Sequence, residues 1–382
     1  MAIYLSFKEI WRNRTKYFLF SLVIALISVL VLFTAGLGEG LATNNKEYLE
    51  KLDAQLLVFQ TDVSFSTIES RLDYKKYKRA RRIDGIADAG PIAFSNVKVV
   101  VKQDEEPVDV SFIGVEPDRP GAPKAIFGTD LRSYPSKIAL IDQSTADLIG
   151  AQVGDKITIK STQGTEDKLY DLTVTGIAGG QRYFFRPSIF VSLSTWDKYR
   201  PKADPDSYST QPVLNVIAVK AKSSTNLSYL ESAITNIIDD VEVTDIQTAY
   251  ESAPGYSEQQ GTLNTIKGFT FLIGTLVIGG FFQIQILQKL PQIGMLKAIG
   301  APNRLVSATA ISQIVLVSLF GVIIGTLATF ALAATLPSNV PVYFTASSVA
   351  VTIVTLLLIG PAGGMLSIRM AHNVEPLTAL DM

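Results

Sequence analysis

The sequence predicts a membrane protein with four transmembrane α-helices and a large α+β extracytoplasmic domain inserted between helices 1 and 2. Of the 382 residues, 47% are hydrophobic and 18% are charged, whereas about a quarter of the residues in a soluble domain are charged. Several uncharged stretches approach or exceed the roughly 20 residues that a helix needs to cross a bilayer. Between the first two of them, residues 39–267 contain alternating apolar and polar segments typical of half-buried strands.

The uncharged stretches define the predicted spans, which are 17–38, 268–288, 305–335 and 346–368. The last two belong to one uncharged run that is too long for a single helix. Pro337 and Pro341 break this run, because proline stops a helix. A cleaved signal peptide is the alternative interpretation of the first stretch, but the apolar run is longer than such a peptide requires.

Lysine and arginine in short loops predict the orientation of the spans. Residues 1–16 contain four of them, 289–304 contain three, and the tail at 369–382 contains one. The turn at 336–348 contains none. We therefore expect both termini and the 289–304 loop to face the cytoplasm, with residues 39–267 outside.

Residues 1–16 have the pattern of an amphipathic helix on the inner membrane surface. Ile3, Phe7, Ile10 and Trp11 recur at helical spacing, and basic residues stand beside them. The alternative is that this segment is only the first cytoplasmic turn of helix 1.

The outer domain has strand-like segments separated by helical ones. Residues 41–52 are predicted to continue helix 1 outward as a stalk, and 257–267 mirror them before helix 2. The predicted strands include VDVSFIGV (108–115), KITIKS (156–161), LTVTGIAG (172–179), SIFVSL (188–193) and VLNVIAVKA (213–221). Helical patterns cover 144–152 and 226–238.

The loop at 289–304 is predicted to be a short amphipathic helix. Pro291 is suited to a first helical turn, and Gly300 followed by Pro302 is suited to a stop. Its apolar stripe and flanking lysine are Ile293, Met295, Leu296, Lys297 and Ile299. Such a helix either docks into the cleft of a cytoplasmic partner or merely links two spans; the residues alone leave both interpretations open.

Three segments carry a resemblance that covers most of the chain. QIGMLKAIGAPNRL (292–305), VEPLTAL (374–380) and IALIDQSTADLIGAQVGDKITIK (138–160) resemble MacB/FtsX-type ABC transporter permeases of prokaryotic plasma membranes. The resemblance implies a homodimer that works with two copies of an ABC ATPase subunit, and a coupling role for residues 289–304. Relatives often carry an acidic residue where this chain has Gln292, which puts an ion pair at that contact in doubt.

A narrower resemblance concerns the substrate. KEIWRNRTKYFL (8–19), LFTAGLGEGLATNN (32–45) and PVYFT (341–345) resemble the heme-efflux permeases of the HrtB type. This resemblance implies heme as a transported substrate, no permanently bound cofactor, and ATP on the partner subunit.

The residue inventory argues against an enzyme. There is no cysteine and a single histidine, His372, so thiolate and histidine-rich metal sites are not expected. No G-x-x-x-x-G-K-[ST] segment is present, so ATP would have to be bound by a separate subunit. The basic run at 74–82 is interpreted as a solvated helix face, with contact to anionic membrane lipid as the alternative. No nucleic-acid partner is expected, since we place this run outside the cell.

Glu39 is the leading candidate for substrate binding, because a carboxylate near lipid is costly unless it faces water, protein or a ligand. Its alternative is an ordinary acid in the headgroup layer. If heme is the substrate, a carboxylate or tyrosinate oxygen would ligate the iron. The remaining candidates are Phe33 and Leu37 for the porphyrin face, Tyr48 and Tyr256 for the iron, and Lys46 and Lys267 for the propionates.

The G-x-x-x-G pairs Gly36/Gly40, Gly321/Gly325 and Gly360/Gly364 are compatible with close helix packing in a homodimer or within one chain. The resulting hypothesis is an ATP-driven exporter that works by mechanotransmission. The alternatives are an FtsX-like mechanotransmitter that activates a cell-wall hydrolase, and an exporter of peptides, lipoproteins or other amphipathic compounds.

Overall fold

A computed structural model describes residues 2–100, 106–133, 137–204, 212–223, 225–253, 255–298, 302–336 and 340–372. The chain divides into two units, Met1–Leu41 with Gln259–Met382 and Ala42–Glu258. We call the first the helical unit and the second the α+β unit. Each boundary falls within a long helix, so two helices contribute residues to both units.

The helices, in chain order, are α1 (Ala2–Arg12), α2 (Arg14–Glu50), α3 (Tyr74–Ala80), α4 (Gln143–Ile149), α5 (Leu193–Tyr199), α6 (Leu227–Ile237), α7 (Ile246–Glu251), α8 (Tyr256–Ala298), α9 (Asn303–Ala334) and α10 (Ala346–His372). The strands are β1 (Leu56–Phe59), β2 (Leu72–Asp73), β3 (Ile86–Val100), β4 (Val108–Val115), β5 (Ala125–Gly128), β6 (Ile138–Asp142), β7 (Lys156–Gln163), β8 (Glu166–Ala178), β9 (Ser188–Ser192), β10 (Val213–Leu214), β11 (Val216–Ala221) and β12 (Glu242–Asp245).

Three helices of the described chain are long and apolar enough to cross a membrane. They are α2, the Tyr256–Lys289 part of α8 and the Ser307–Ala334 part of α9. The described apolar part of α10, Ala346–Ala362, is shorter. Length and composition therefore support three of the four predicted spans, and the fourth stays a prediction.

Helix α8 does not restart at Pro291 as the sequence pattern suggested. It continues through this proline to Ala298, so the 290–298 segment is an extension of the helix that carries the second span. Proline removes the N–H that would bond to the carbonyl four residues earlier, on Leu287. Pro291 and Leu287 are both exposed, which makes that loss tolerable.

Within the helical unit, glycines allow α9 to pack closely against α2, and α10 to pack closely against α9. A Cβ atom on Gly321 would lie 2.6 Å from the Cβ of Ile24, and one on Gly325 would lie 2.5 Å from the Cβ of Ser28. A Cβ atom on Gly360 would overlap the hydroxyl of Ser318. These three glycines therefore support packing within one chain, which was one of the two roles left open for them. The surroundings of Gly364 lie outside the described part of the molecule.

The α+β unit is built on one large mixed sheet. Its strand order in the described residues is β12-β1-β11-β3-β4-β9-β6-β8-β5, with β7 paired to both β3 and β8. Most neighbours are antiparallel, but the β4–β9 and β6–β8 pairs are parallel. A separate two-stranded sheet joins β10 to β2.

The sheet buries apolar side chains on both faces, because successive residues of a strand point to opposite sides. In β1, Leu56 and Val58 belong to one core while Leu57 and Phe59 belong to the other. The first core is covered by α3, α5 and α6, which contribute Tyr77, Trp196, Leu230 and Ile234 among others. The second is covered by α7 and by the 42–50 end of α2.

Candidate functional site

Glu39 lies near the point where α2 leaves the helical unit, on a turn of helix that is tightly packed. A Cβ atom on Gly36 would lie 2.6 Å from the ring of Phe344, and one on Gly40 would overlap the carbonyl oxygen of Pro341. The backbone N–H of Tyr343 donates to the carbonyl of Gly36 at 3.0 Å. The PVYFT segment before α10 therefore packs tightly against α2 beside Glu39. The side chain of Glu39 is itself partly buried.

The structure separates Glu39 from the other two candidates on α2. At 3.6 residues per turn, Leu37 lies roughly 160° and Phe33 roughly 120° around the helix from Glu39. Both side chains are partly buried. Leu37 and Phe33 instead share a face with the exposed Leu30 and Leu26. A single copy of α2 therefore does not present all three candidates to one side of a planar ligand.

Tyr48 is a core residue of the α+β unit. It is 1% exposed, its hydroxyl donates to the carbonyl of Gly121 at 2.8 Å, and its ring packs against Phe190 with 5.2 Å between centroids. Burial holds the pKa of Tyr48 well above its usual value, which disfavours the tyrosinate that a heme ligand requires. The prediction that Tyr48 ligates iron is therefore not supported by its surroundings.

A Tyr48→Phe substitution separates these two roles. Removing the hydroxyl leaves the buried carbonyl of Gly121 without its partner, which costs about 1–3 kcal/mol. We expect the melting temperature of the full-length protein in detergent to fall by roughly 2–10 °C, with hemin affinity unchanged. A selective loss of hemin affinity at unchanged melting temperature would restore Tyr48 as a ligand.

The second tyrosine candidate is more accessible. Tyr256 is partly buried and its ring stands edge-on to that of Tyr250, with 5.8 Å between centroids. Lys46, proposed for a propionate, forms an ion pair with Glu50 at 2.7 Å and lies over the ring of Tyr250. The side chain of Lys267 is exposed.

The sequence did not identify a set of polar contacts that fastens the outer part of α2 to the sheet. We call it the stalk anchor, and it joins Asn44, Glu47 and Lys51 to residues 179–185. Arg182 donates to the Asn44 side chain at 3.0 Å, and Lys51 donates to the carbonyl of Gly180 at 2.6 Å. A Cβ atom on Gly180 would overlap the carboxylate of Glu47. The φ of 55° at Gly180 favours glycine at this position, because residues other than glycine rarely adopt that conformation.

Asp142 holds the 179–185 segment of the stalk anchor through a hydrogen bond to its backbone. It is fully buried, and one carboxylate oxygen accepts the backbone N–H of Gln181 at 2.9 Å. The other oxygen is buried without a hydrogen-bond partner. Burial raises the pKa of Asp142 to about 6, and the nearby Glu47 carboxylate contributes to the rise, while the Gln181 N–H and Arg182 oppose it.

This carboxyl group makes the stability of the α+β unit depend on pH. Because its folded-state pKa is raised from 3.8 to about 6, its contribution is complete below about pH 4 and is lost as the pH rises through about 6. The lost contribution amounts to about 3 kcal/mol, at 1.36 kcal/mol for each pKa unit.

We expect Asp142→Asn to remove this dependence. Relative to the unchanged protein, the variant should gain about 3 kcal/mol of stability as the pH rises from about 4 to about 6, and the difference should stay constant above about pH 7. The fluorescence of Trp196, which is buried in this unit, reports the unfolding in a Trp11→Phe background. Parallel pH profiles for the two proteins would contradict the assignment.

The coupling candidates fall at the end of α8. Met295 is 56% exposed, so an apolar side chain is presented there. The side chains of Ile293, Leu296 and Lys297 lie outside the described part of the molecule, as does all of Ile299. Among the described residues, no three His, Asp or Glu side chains are grouped so that they could hold a metal ion.

Two family models match the chain in succession. A MacB-like periplasmic core domain matches residues 17–237, and an FtsX-like permease C-terminal domain matches residues 264–376. The first match covers most of α2 and nearly all of the sheet, and the second covers most of α8 together with α9 and α10.

The similar curated proteins are permeases that align with this chain over nearly their full length. The "Putative hemin transport system permease protein HrtB" of Staphylococcus haemolyticus is 25% identical over 98% of both chains. The Staphylococcus epidermidis protein of that name is 24% identical over 98% of both chains. An uncharacterized ABC transporter permease of Mycobacterium tuberculosis is 21% identical over 97% of this chain and 96% of its own.

Among solved structures, the periplasmic region of MacB from Actinobacillus actinomycetemcomitans aligns with 52% of this chain and 92% of its own, at 14% identity and a TM-score of 0.38. Family membership follows from the sequence models instead, since one of them alone spans more than half of the chain. With a MacB-like core domain followed by an FtsX-like C-terminal domain, this protein belongs to the MacB/FtsX-type ABC transporter permeases.

Proposed function

We propose that this permease is the membrane subunit of an ATP-driven exporter and that heme is its substrate. The observation that carries the proposal is the full-length similarity to permeases named for hemin transport, which extends over 98% of both chains. Glu39, on the tightly packed turn of α2, is the candidate ligand. It would offer the iron an anionic oxygen, as a tyrosinate does in catalase. ATP would be hydrolysed on two copies of a separate ABC subunit bound to a homodimer of this chain.

The proposed mechanism uses α8 as a lever. This helix is continuous over 43 residues, a length of about 65 Å. Closure of the ATPase subunits would push on the 290–298 extension at the cytoplasmic side. Since a helix transmits displacement along its axis, the push would reach the outer half of the membrane, where the substrate is held near Glu39.

Tyr256 is the remaining tyrosine candidate for the iron. It is the first residue of α8, and its side chain is only partly buried. Phe33 and Leu37 could contact the porphyrin from a different face of α2, so their part in the site depends on the second copy of the chain. Each is testable by alanine substitution in the binding experiment below.

Titration of the purified full-length protein with hemin tests the substrate. We expect a saturable shift of the Soret band, together with ATP-dependent hemin export when the permease and its ATPase are placed in vesicles. Bovine serum albumin, added in solution as a competing hemin acceptor, controls for unspecific partitioning of hemin into the lipid. Unsaturable absorbance changes that track vesicle lipid alone would rule out heme.

If the ATPase associates but hemin does not bind, the alternatives from the sequence gain support. A mechanotransmitter for a cell-wall hydrolase would stimulate that enzyme on ATP addition without moving any solute. An exporter of peptides or lipoproteins would show ATPase stimulation by such compounds instead.

A further inference from the structure

A closed polar cluster joins four helices at one end of the helical unit. Lys289 lies on α8, just before the 290–298 extension. Its partners are Glu9 on α1, Tyr17 on α2 and Gln313 on α9. We call these four residues the coupling hub. Of the four, Lys289 alone lies in a segment for which the resemblance implies a coupling role. The cluster itself was not predicted, because its contacts span up to 304 positions in the chain.

Every N–H donor of the Lys289 ammonium group has an acceptor within the hub. An ammonium group has three N–H donors. Lys289 forms an ion pair with Glu9, donates to the Tyr17 hydroxyl at 3.1 Å and donates to the Gln313 side-chain oxygen at 3.0 Å. Each donor therefore has an acceptor on a different helix.

Glu9 and Gln313 close the ring. One oxygen of Glu9 binds Lys289, and the other accepts from the amide nitrogen of Gln313. Tyr17 and Gln313 are 2% and 5% exposed, so the neutral members of the cluster are shielded from water. The side chains of Lys289 and Glu9 are 20% and 28% exposed.

A second contact ties α1 to α9 independently of the charges. The Ser6 hydroxyl donates to the backbone carbonyl of Thr309 at 3.0 Å. Helix α1 is therefore held against α9 by its polar face, while Tyr4, Phe7 and Trp11 remain exposed on it. An amphipathic helix with exposed aromatic side chains is suited to the membrane interface.

Stability alone does not explain such a cluster. The Lys289–Glu9 pair is partly exposed, so solvent weakens its contribution to stability. The best-attested use of an ion pair within a packed core is to specify one arrangement of the packed elements. Met295 lies six residues after Lys289, about 9 Å along the helix. Any force applied to the extension therefore reaches Lys289 before it reaches the rest of α8.

We infer that the coupling hub makes α1, α2, α8 and α9 move as one body when a partner pushes on the 290–298 extension. Lys289 is the positioning residue, and Glu9 and Gln313 hold it. The inference rests on the proposed function only in that an ATPase drives the permease, and it does not depend on heme as the substrate.

The experiment measures movement without any substrate. Because the chain contains no cysteine, Leu22→Cys on α2 and Ser347→Cys on α10 introduce two unique labelling sites in the helical unit, both at exposed positions. The distance between spin labels at these sites is measured in the assembled complex with its ATPase, with and without ATP, alongside the rate of ATP hydrolysis.

We expect an ATP-driven change in the label distance that Lys289→Met and Glu9→Gln abolish, while ATP hydrolysis stays within twofold of the unchanged complex. Exchanging the two charges in a Glu9→Lys, Lys289→Glu double variant should restore at least half of the change, because the Gln313 amide can reverse its donor and acceptor ends. Lys16→Met is the matched control, since Lys16 bonds to Gln288 at the same end of the bundle but at an exposed position. It should behave as the unchanged protein.

Three results would overturn the hub. They are a retained distance change in Lys289→Met, equal losses in Lys289→Met and Lys16→Met, and an unchanged complex that hydrolyses ATP without any distance change. A failure of the heme assignment looks different: the labels would move with ATP and respond to the hub variants as expected, while hemin would neither bind nor be exported.

Discussion

Replacing Glu39 with glutamine is expected to weaken hemin binding at least tenfold, which corresponds to about 1.4 kcal/mol. An amide oxygen carries no charge and is a poorer ligand for ferric iron than a carboxylate. The substitution keeps the shape of the side chain, so the packing of Gly36 and Gly40 against the segment before α10 should remain. Soret titration of the purified variant measures the change directly.

Asp53→Asn provides the matched control for this prediction. Asp53 is an exposed carboxylate just beyond the end of the same helix, where it pairs with Lys220. We expect its removal to leave hemin affinity unchanged. Equal affinities for the Glu39 variant and the unchanged protein would remove Glu39 from the site, and the Tyr256→Phe variant would then be the next to measure.

The second large effect is expected at the end of α8. Met295→Asp should abolish co-purification of the ATPase subunit and reduce export more than tenfold. The side chain is 56% exposed, so a charge there need not disturb folding, but it would have to be desolvated in an apolar cleft of the partner, which is costly. Leu296→Asp is expected to act in the same way, since the sequence places it in the same stripe.

Met295→Leu is the control that keeps the contact apolar, and it should co-purify with the ATPase normally. Pull-down from cells that express both subunits gives the readout. An aspartate variant that still binds the ATPase and exports normally would show that the 290–298 extension is not the docking segment. The lever mechanism would then have to be abandoned.

Much of the α+β unit could be predicted from the sequence. The segment VDVSFIGV coincides with β4, and the segment at 156–161 falls within β7. The segment at 188–193 covers β9 and the first residue of α5. Such strands are recognisable because alternation and β-branched side chains are local properties. The pairing of these strands was not predictable, since the parallel β4–β9 pair joins residues more than seventy positions apart.

The candidate site was predicted less completely. A helical wheel would have separated Glu39 from Leu37 without any structure, because two residues along a helix point to nearly opposite sides. The burial of Tyr48 could not be foreseen in this way. Its position depends on Gly121 and Phe190, which the fold of the sheet brings to the stalk.

The sequence by itself determined where the long apolar stretches lie, that a large α+β domain interrupts them, and that no G-x-x-x-x-G-K-[ST] segment is present. These features depend on composition and on spacing within short windows, so no partner in the fold is needed to recognise them. Only the tertiary structure decided that the glycines of α9 pack against α2, and that Lys289 meets Tyr17 and Glu9 from about 270 and 280 positions away. Such contacts arise from the packing of distant helices, and no local pattern encodes which distant partner a buried polar side chain will find.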